Sequence, residues 1–363
     1  MSPPSSRKVL PLLLILLALG FLGVQIFSTS SLSPTLPKNR EISEKSEALP
    51  ISEVPLPVRI SSSAAPSQHP APSASVVVAH RIGFAPWGDG APDRVGHKLP
   101  EEANAEGPMS LVVVGGALFV LDQVNDRITR WKDGKAQVVV ELGGLEAADL
   151  AVAPDGSIAV LDRLVNKEVA IFKDGKRMGS LPLDPERFPE PGTVTGVFVE
   201  GEEVWVEKEH GPLIRLGTLS GALSNDQEEL PGRPSRDGTL LLSAGIVDQE
   251  QGRAYVAAFD RAKGEARFTR QLTFPGVLTT IVALDSDRTG TIYLAVTVEQ
   301  GTIPVTSVTC LEPARGDPLG AVQISTNTSP EESLRELTVG DDGTIVFAHR
   351  TLEGMVFESY RCP

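Results

Sequence analysis

The chain has 363 residues, 41% of them hydrophobic and 22% charged, with a formal net charge of −14. That hydrophobic share supports a packed core and excludes a wholly disordered chain. The acidic balance repels phosphate backbones and anionic lipid, which argues against nucleic acid as a partner, and two cysteines are too few for a disulfide-built scaffold.

In chain order, residues 1–8 contain Arg7 and Lys8 and precede the apolar run 9–27, where Gln25 is the one clearly polar residue. A helix rising about 1.5 Å per residue crosses a hydrocarbon core of roughly 30 Å with this length. The basic flank puts residues 1–8 in the cytoplasm and the rest of the chain on the extracytoplasmic side. Residues 9–27 are therefore expected to be a transmembrane signal anchor; the rival is a cleaved signal peptide, whose apolar core is usually about 7 to 15 residues. No cysteine follows the run, so a lipoprotein anchor is excluded. Residues 28–74 are rich in Ser, Pro and Ala without apolar periodicity, and a disordered linker is expected there.

Residues 75–363 read as β-structure, since no window sustains a helical period. The β-rich run 75–82 comes first, followed by a long connection, 84–108, whose Trp87 sits between Pro86 and Gly88 and is expected to pack over one mouth of a channel. Then Gly116-Ala117-Leu118-Phe119-Val120-Leu121-Asp122 is echoed by Gly156-Ser157-Ile158-Ala159-Val160-Leu161-Asp162. Tracking the fourth position gives Phe119, Ala159, Trp205, Tyr255, Tyr293 and Val346. The spacing matches the period of roughly 40 to 50 residues of a four-stranded propeller blade. An all-β, six-bladed β-propeller is expected, with these positions on second strands.

In the fourth blade this reading puts the inner strand at 240–247, the third at 266–270 and the fourth at 271–274. The chain stops after the third strand of the last blade, so the run 75–82 is expected to close the ring and remove an exposed edge.

Asp122, Asn125, Arg127 and Ile128 resemble the NHL repeat, whose core is an apolar residue, Asp, two residues, Asn, one residue, Arg and an aliphatic residue. The second copy departs from it, with Asp162, then Asn166 one place late and Lys167 in the Arg position. The resemblance implies a propeller of a kind that includes protein-binding and RNA-binding modules and relatives with lyase or lactone-hydrolase chemistry. Short polar residues after a strand more commonly tie down the local backbone than form a site, so Asp122, Asn125, Arg127, Asp162 and Asn166 are expected to be structural.

Cys310 and Cys362, ending third strands of neighbouring blades, are expected to pair in an extracytoplasmic compartment. Equivalent points near the start of each inner strand are Met109, Asp149, Thr195, Gly245, Ala283 and Glu336. Asp149 and Glu336 are the candidate ligands for an axial Ca²⁺, an ion that takes six to eight oxygens. The five histidines show no zinc spacing, and no G-x-S-x-G or phosphate loop occurs.

The expectation is a membrane-anchored extracytoplasmic scaffold that binds a protein or envelope component through one face, with loops 84–108 and 182–194 carrying the contacts. The alternative is a metal-dependent, lactonase-like or lyase-like enzyme.

Overall fold

The computed structural model describes residues 67–72, 79–102, 104–226, 228–301, 303–327 and 331–363. The anchor expected at 9–27 and most of the linker at 28–74 lie outside the described residues. Among the described residues no helix is long and apolar enough to cross a membrane.

Two short strands come first, β1 (Ser67–Pro70) and β2 (His80–Pro86). Blade one is β3 (Ser110–Val114), β4 (Ala117–Asp122), β5 (Arg127–Lys132) and β6 (Lys135–Glu141). Blade two is β7 (Asp149–Val152), β8 (Ile158–Asp162), β9 (Glu168–Lys173) and β10 (Lys176–Pro182). Blade three is β11 (Val194–Glu200), β12 (Glu203–Lys208), β13 (Leu213–Thr218) and β14 (Glu229–Leu230). Blade four is β15 (Arg233–Pro234), β16 (Leu240–Asp248), β17 (Arg253–Asp260) and β18 (Glu265–Thr273). Blade five is β19 (Val277–Ser286), β20 (Ile292–Gln300), β21 (Ile303–Leu311) and β22 (Pro318–Ser325). Blade six has β23 (Leu337–Val339), β24 (Ile345–Arg350) and β25 (Gly354–Tyr360), completed by β2. The chain is an all-β, six-bladed propeller.

Middle strands such as β8 are buried along their whole length because each sheet is covered on both sides by its neighbours. The core is accordingly a set of clusters at the blade junctions. The junction of blades three and four holds the smallest, in which Trp205, Leu213, Leu230 and Leu241 are buried.

Ring closure follows the expected route, but the closing strand is β2, paired antiparallel with β25 from His80↔Ser359 to Pro86↔Gly354. It lies further along the chain than the run 75–82, because Ala85, fully buried between blades six and one, is its inward residue. Pro86 ends it, having no N–H for the ladder.

Blade four is shifted by one strand from the expectation. Leu278 N–H donates to Gln249 O, while Arg236 N–H donates to Ser286 Oγ. Thus β16 runs opposite to the inner strand β19 and is a second strand; the inner strand is β15, only two residues long. Tyr255 lies on the third strand, and the two runs expected at 266–270 and 271–274 fall on one continuous fourth strand, β18, which ends at Thr273. The inner strand escaped notice because Arg233–Pro234 has no apolar run. Its hairpin does carry a signature, Asp237-Gly238-Thr239, matching Asp155-Gly156-Ser157 and Asp342-Gly343-Thr344. In each turn the Asp accepts from the backbone N–H and the hydroxyl two residues on, and the glycines take φ of 83°, 72° and 78°.

The linker expectation fails at residues 67–70. There β1 adds a fifth strand to blade four, parallel to β18 from Ser67↔Arg270 to Pro70↔Thr273, because the outer edge of β18 offers free main-chain groups to a passing chain.

Cys310 and Cys362 form a disulfide with a Cα–Cα distance of 6.4 Å. The tail crosses from blade six to blade five, and a Cβ on Gly320 would come within 2.7 Å of the Pro363 ring. A glycine at that position makes room for the crossing.

Candidate functional site

Inner strands begin, and the long connections between blades lie, on one side of the ring, which we call the loop face. Inner strands end on the opposite turn face, in short hairpins.

The NHL-like residues of blade one hold the long connection on the loop face. Asp122, fully buried, accepts from Gly96 N–H at 2.8 Å, Asn125 Nδ2 at 2.9 Å and Arg127 Nε at 3.0 Å. Arg127 then donates to the carbonyls of Gly90, Ala91 and Arg94 at 3.0 to 3.3 Å, and Asn125 to Gly88 O at 3.0 Å. These bonds tie the group to the connection rather than only to its own hairpin. Trp87 stacks on His97 with centroids 4.6 Å apart, donates to Thr351 O at 2.9 Å, and His97 meets Glu331 at 2.7 Å. Trp87 therefore packs the connection against blade six.

In blade two, Asp162 accepts from Glu146 N–H, Val165 N–H, Asn166 N–H and Asn166 Nδ2. Lys167 stands in the arginine position, so Asp162 secures only a short loop, while Arg163 beside it donates to Gly192 O at 3.2 Å and Val194 O at 2.9 Å at the end of the next connection.

Asp149 is a junction of blades. Its Oδ1 accepts from Ser110 Oγ at 2.5 Å, and its Oδ2 from Val197 N–H at 2.9 Å and Arg335 Nη2 at 2.6 Å. Glu336 instead accepts from Asn327 Nδ2 at 2.9 Å and stands 3.9 Å from Arg350. The two candidate metal ligands thus serve different partners, and among the described residues no group of three or more His, Cys, Asp or Glu side chains is placed to hold a metal ion. The donor set does not fit the axial Ca²⁺ of the alternative reading.

Beside Asp149, Glu207 is buried and bonded by Arg233 through Nε at 2.6 Å and Nη2 at 2.9 Å. Burial pushes the Glu207 carboxyl up, but Arg233 and His210 outweigh it and hold the pKa at about 2. Arg233 and Arg335 both lie over the Phe198 ring, 5.2 and 5.4 Å from its centroid. Toward the turn face, Arg236 joins blades four to six by pairing with Asp285 at 3.1 Å and Asp341 at 3.3 Å. Charges around the axis are matched across blades, which suits a rigid ring. Sequence reading missed Arg233, Arg335 and Phe198, which are isolated residues outside the repeat.

The loop face carries a second feature without a local signal. Among the described residues ten large apolar side chains are exposed, and six of them, Leu99, Leu164, Val165, Val247, Ile303 and Leu352, lie on this face. Apart from Leu99 in the long connection, they sit at or beside the turn between second and third strands in four blades, two of them in blade two. Leu352 is fully exposed. A turn tip is normally polar, so these residues could have been noticed once the blades were aligned.

No family model and no curated protein matches the chain. Solved structures to which it is similar include a streptogramin B lyase, at TM-score 0.40 and 13% identity over 73% of this chain and 96% of that one. Glutaminyl cyclase from Myxococcus xanthus is similar at TM-score 0.39 and 16% identity, over 80% and 98% of the two chains. The calcium-binding protein regucalcin from Agrobacterium tumefaciens is similar at TM-score 0.39 and 14% identity, over 77% and 95%. At such TM-scores and identities these likenesses assign neither a site nor an activity to the chain.

Proposed function

We propose that the protein is a membrane-anchored extracytoplasmic scaffold that captures a protein or other envelope component on its loop face. The observation that carries this reading is that six of the ten large apolar side chains exposed among the described residues lie on that one face, mostly at turn tips where polar residues are the norm. The anchor is the run 9–27, and the Cys310–Cys362 disulfide suits an oxidising compartment. The NHL-like blade one supports the same role, because Asp122, Asn125 and Arg127 hold the connection over it as a preformed platform. Contacts then come from exposed turn tips as well as from loops 84–108 and 182–194.

The test is crosslinking of the full chain in its native envelope, beside the triple variant Leu164→Ser, Ile303→Ser, Leu352→Ser. The parent is expected to yield a specific crosslinked product from the membrane fraction. The variant should lose it while melting at the same temperature, and retained crosslinking in the variant would refute the loop face as the capture surface.

A further inference from the structure

On the turn face, between blades six and one, lies a cleft of about 550 Å³, within the size range of roughly 300–1,000 Å³ typical of preformed ligand sites. Its apolar lining includes Val113, Leu118, Trp131, Val346 and Phe357. Trp131 meets Phe357 edge-on, with centroids 5.4 Å apart, and its Nε1 donates to Thr129 Oγ1 at 3.0 Å. The polar atom of the indole is satisfied, so the cleft has no need of it.

One wall is β2, whose register with β25 slips between Arg81 and Gly83. That irregularity takes Ile82 out of the ladder and leaves it 40% exposed at the cleft. Such bulges re-aim side chains beside binding sites.

Charge on the lining is unequal: Asp133, Asp341 and Asp342 face a single amine, Lys132. Asp341 pairs with Arg236 and Arg288, and Asp342 with Arg361, none of which lines the cleft. The Asp133 side chain, at the tip of the β5–β6 hairpin, makes no hydrogen bond or ion pair among the described residues. An apolar floor next to an unmatched carboxylate suits an apolar group carried beside a cation, and the net charge of the chain draws cations toward it.

We propose that this cleft binds an extended segment of a protein partner in which an aromatic or branched apolar side chain stands next to Lys or Arg. The apolar side chain sits against Ile82 and the exposed edge of Trp131, the cation faces Asp133, and β2, which ends its sheet, offers its outer edge to the segment, as exposed strand edges do. The carboxylates disfavour phosphate-bearing ligands.

The experiment is fluorescence anisotropy with the full chain in detergent and a fluorescein-labelled heptapeptide whose central phenylalanine is flanked by lysines. Controls are the same peptide with glutamates for the lysines, and free phenethylamine as competitor. Saturable binding is expected, about tenfold weaker for the glutamate peptide. Asp133→Asn should weaken the lysine peptide about threefold, the scale of one exposed ion pair, and Ile82→Ser should weaken it too, both without a change in melting.

Equal binding of the two peptides, no effect of either variant, or no binding at about 1 mM protein would overturn the proposal. Phenethylamine displacing the peptide at equal concentration would overturn a peptide in favour of a small organic cation. Leu352→Ser is expected to leave this binding intact, so the cleft and the loop face can fail separately.

Discussion

Arg127 meets one carboxylate and three main-chain carbonyls while remaining buried. Arg127→Met would leave Asp122 without its ion-pair partner and the Gly90 and Arg94 carbonyls without a protein donor, while Ala91 O keeps Arg94 N–H. A buried pair broken from one side typically costs about 3–5 kcal/mol. The expected result is a loss of that order in denaturant titration, with faster hydrogen exchange across residues 88–96; unchanged exchange there would show that the arginine does not secure the connection.

Glu207 gives a pH dependence. Its folded pKa of about 2 lies below the ordinary value of about 4.3, so its contribution is fully present above that value and is lost as pH falls toward 2. Glu207→Gln is expected to lower stability at pH 7 by about 3 kcal/mol and to flatten the loss between about pH 4 and 2. An unchanged acid limb in the variant would place the sensitivity on other carboxylates.

At the scale of elements, strands two and three of the blades were the most legible, because each is a β-rich run bounded by a turn. Blade four was misread because its inner strand is two residues long, so the first strong apolar run belonged to the second strand. The Asp237-Gly238-Thr239 turn was the correct marker. It depends on a side chain that accepts from its own backbone, a local effect that sequence can carry. By contrast, nothing in residues 67–70 announces a strand, since the pairing partner lies some 200 residues away in β18.

Closure rests on β2 and on the disulfide, which encloses 52 residues of sequence separation. Cys362→Ser is expected to lower stability by about 2–4 kcal/mol and to raise exchange in β25 and β2 before other blades. Uniform exchange across all six blades would mean that the bridge does not act on the closing blade.

For the whole molecule, the two faces are chemically distinct. The loop face spreads single aliphatic residues over turn tips around the ring, a pattern suited to a broad protein surface. The turn face has a concave site at one junction. The triple loop-face variant should abolish capture without lowering the melting temperature, because side chains already exposed in the free protein contribute little to its folding. A fall in melting temperature would show instead that these residues pack against the ring.

The class, the number of blades and closure by an N-terminal strand were legible in the sequence, whereas the pairing of Cys310 with Cys362 was an expectation that the folded ring settled by bringing their Cα atoms to 6.4 Å. The legible features follow from strand periodicity and a repeat length, both of which are local or additive. Tertiary structure alone decided that Asp149 is a junction of blades held by Arg335, that Glu207 meets Arg233, and that Leu352 and Ile303 share a face. Those facts depend on which residues the ring brings together from distant segments. A carboxylate near an axis reads the same in sequence whether its partner is a metal or an arginine from another blade, and only the folded ring supplies the partner.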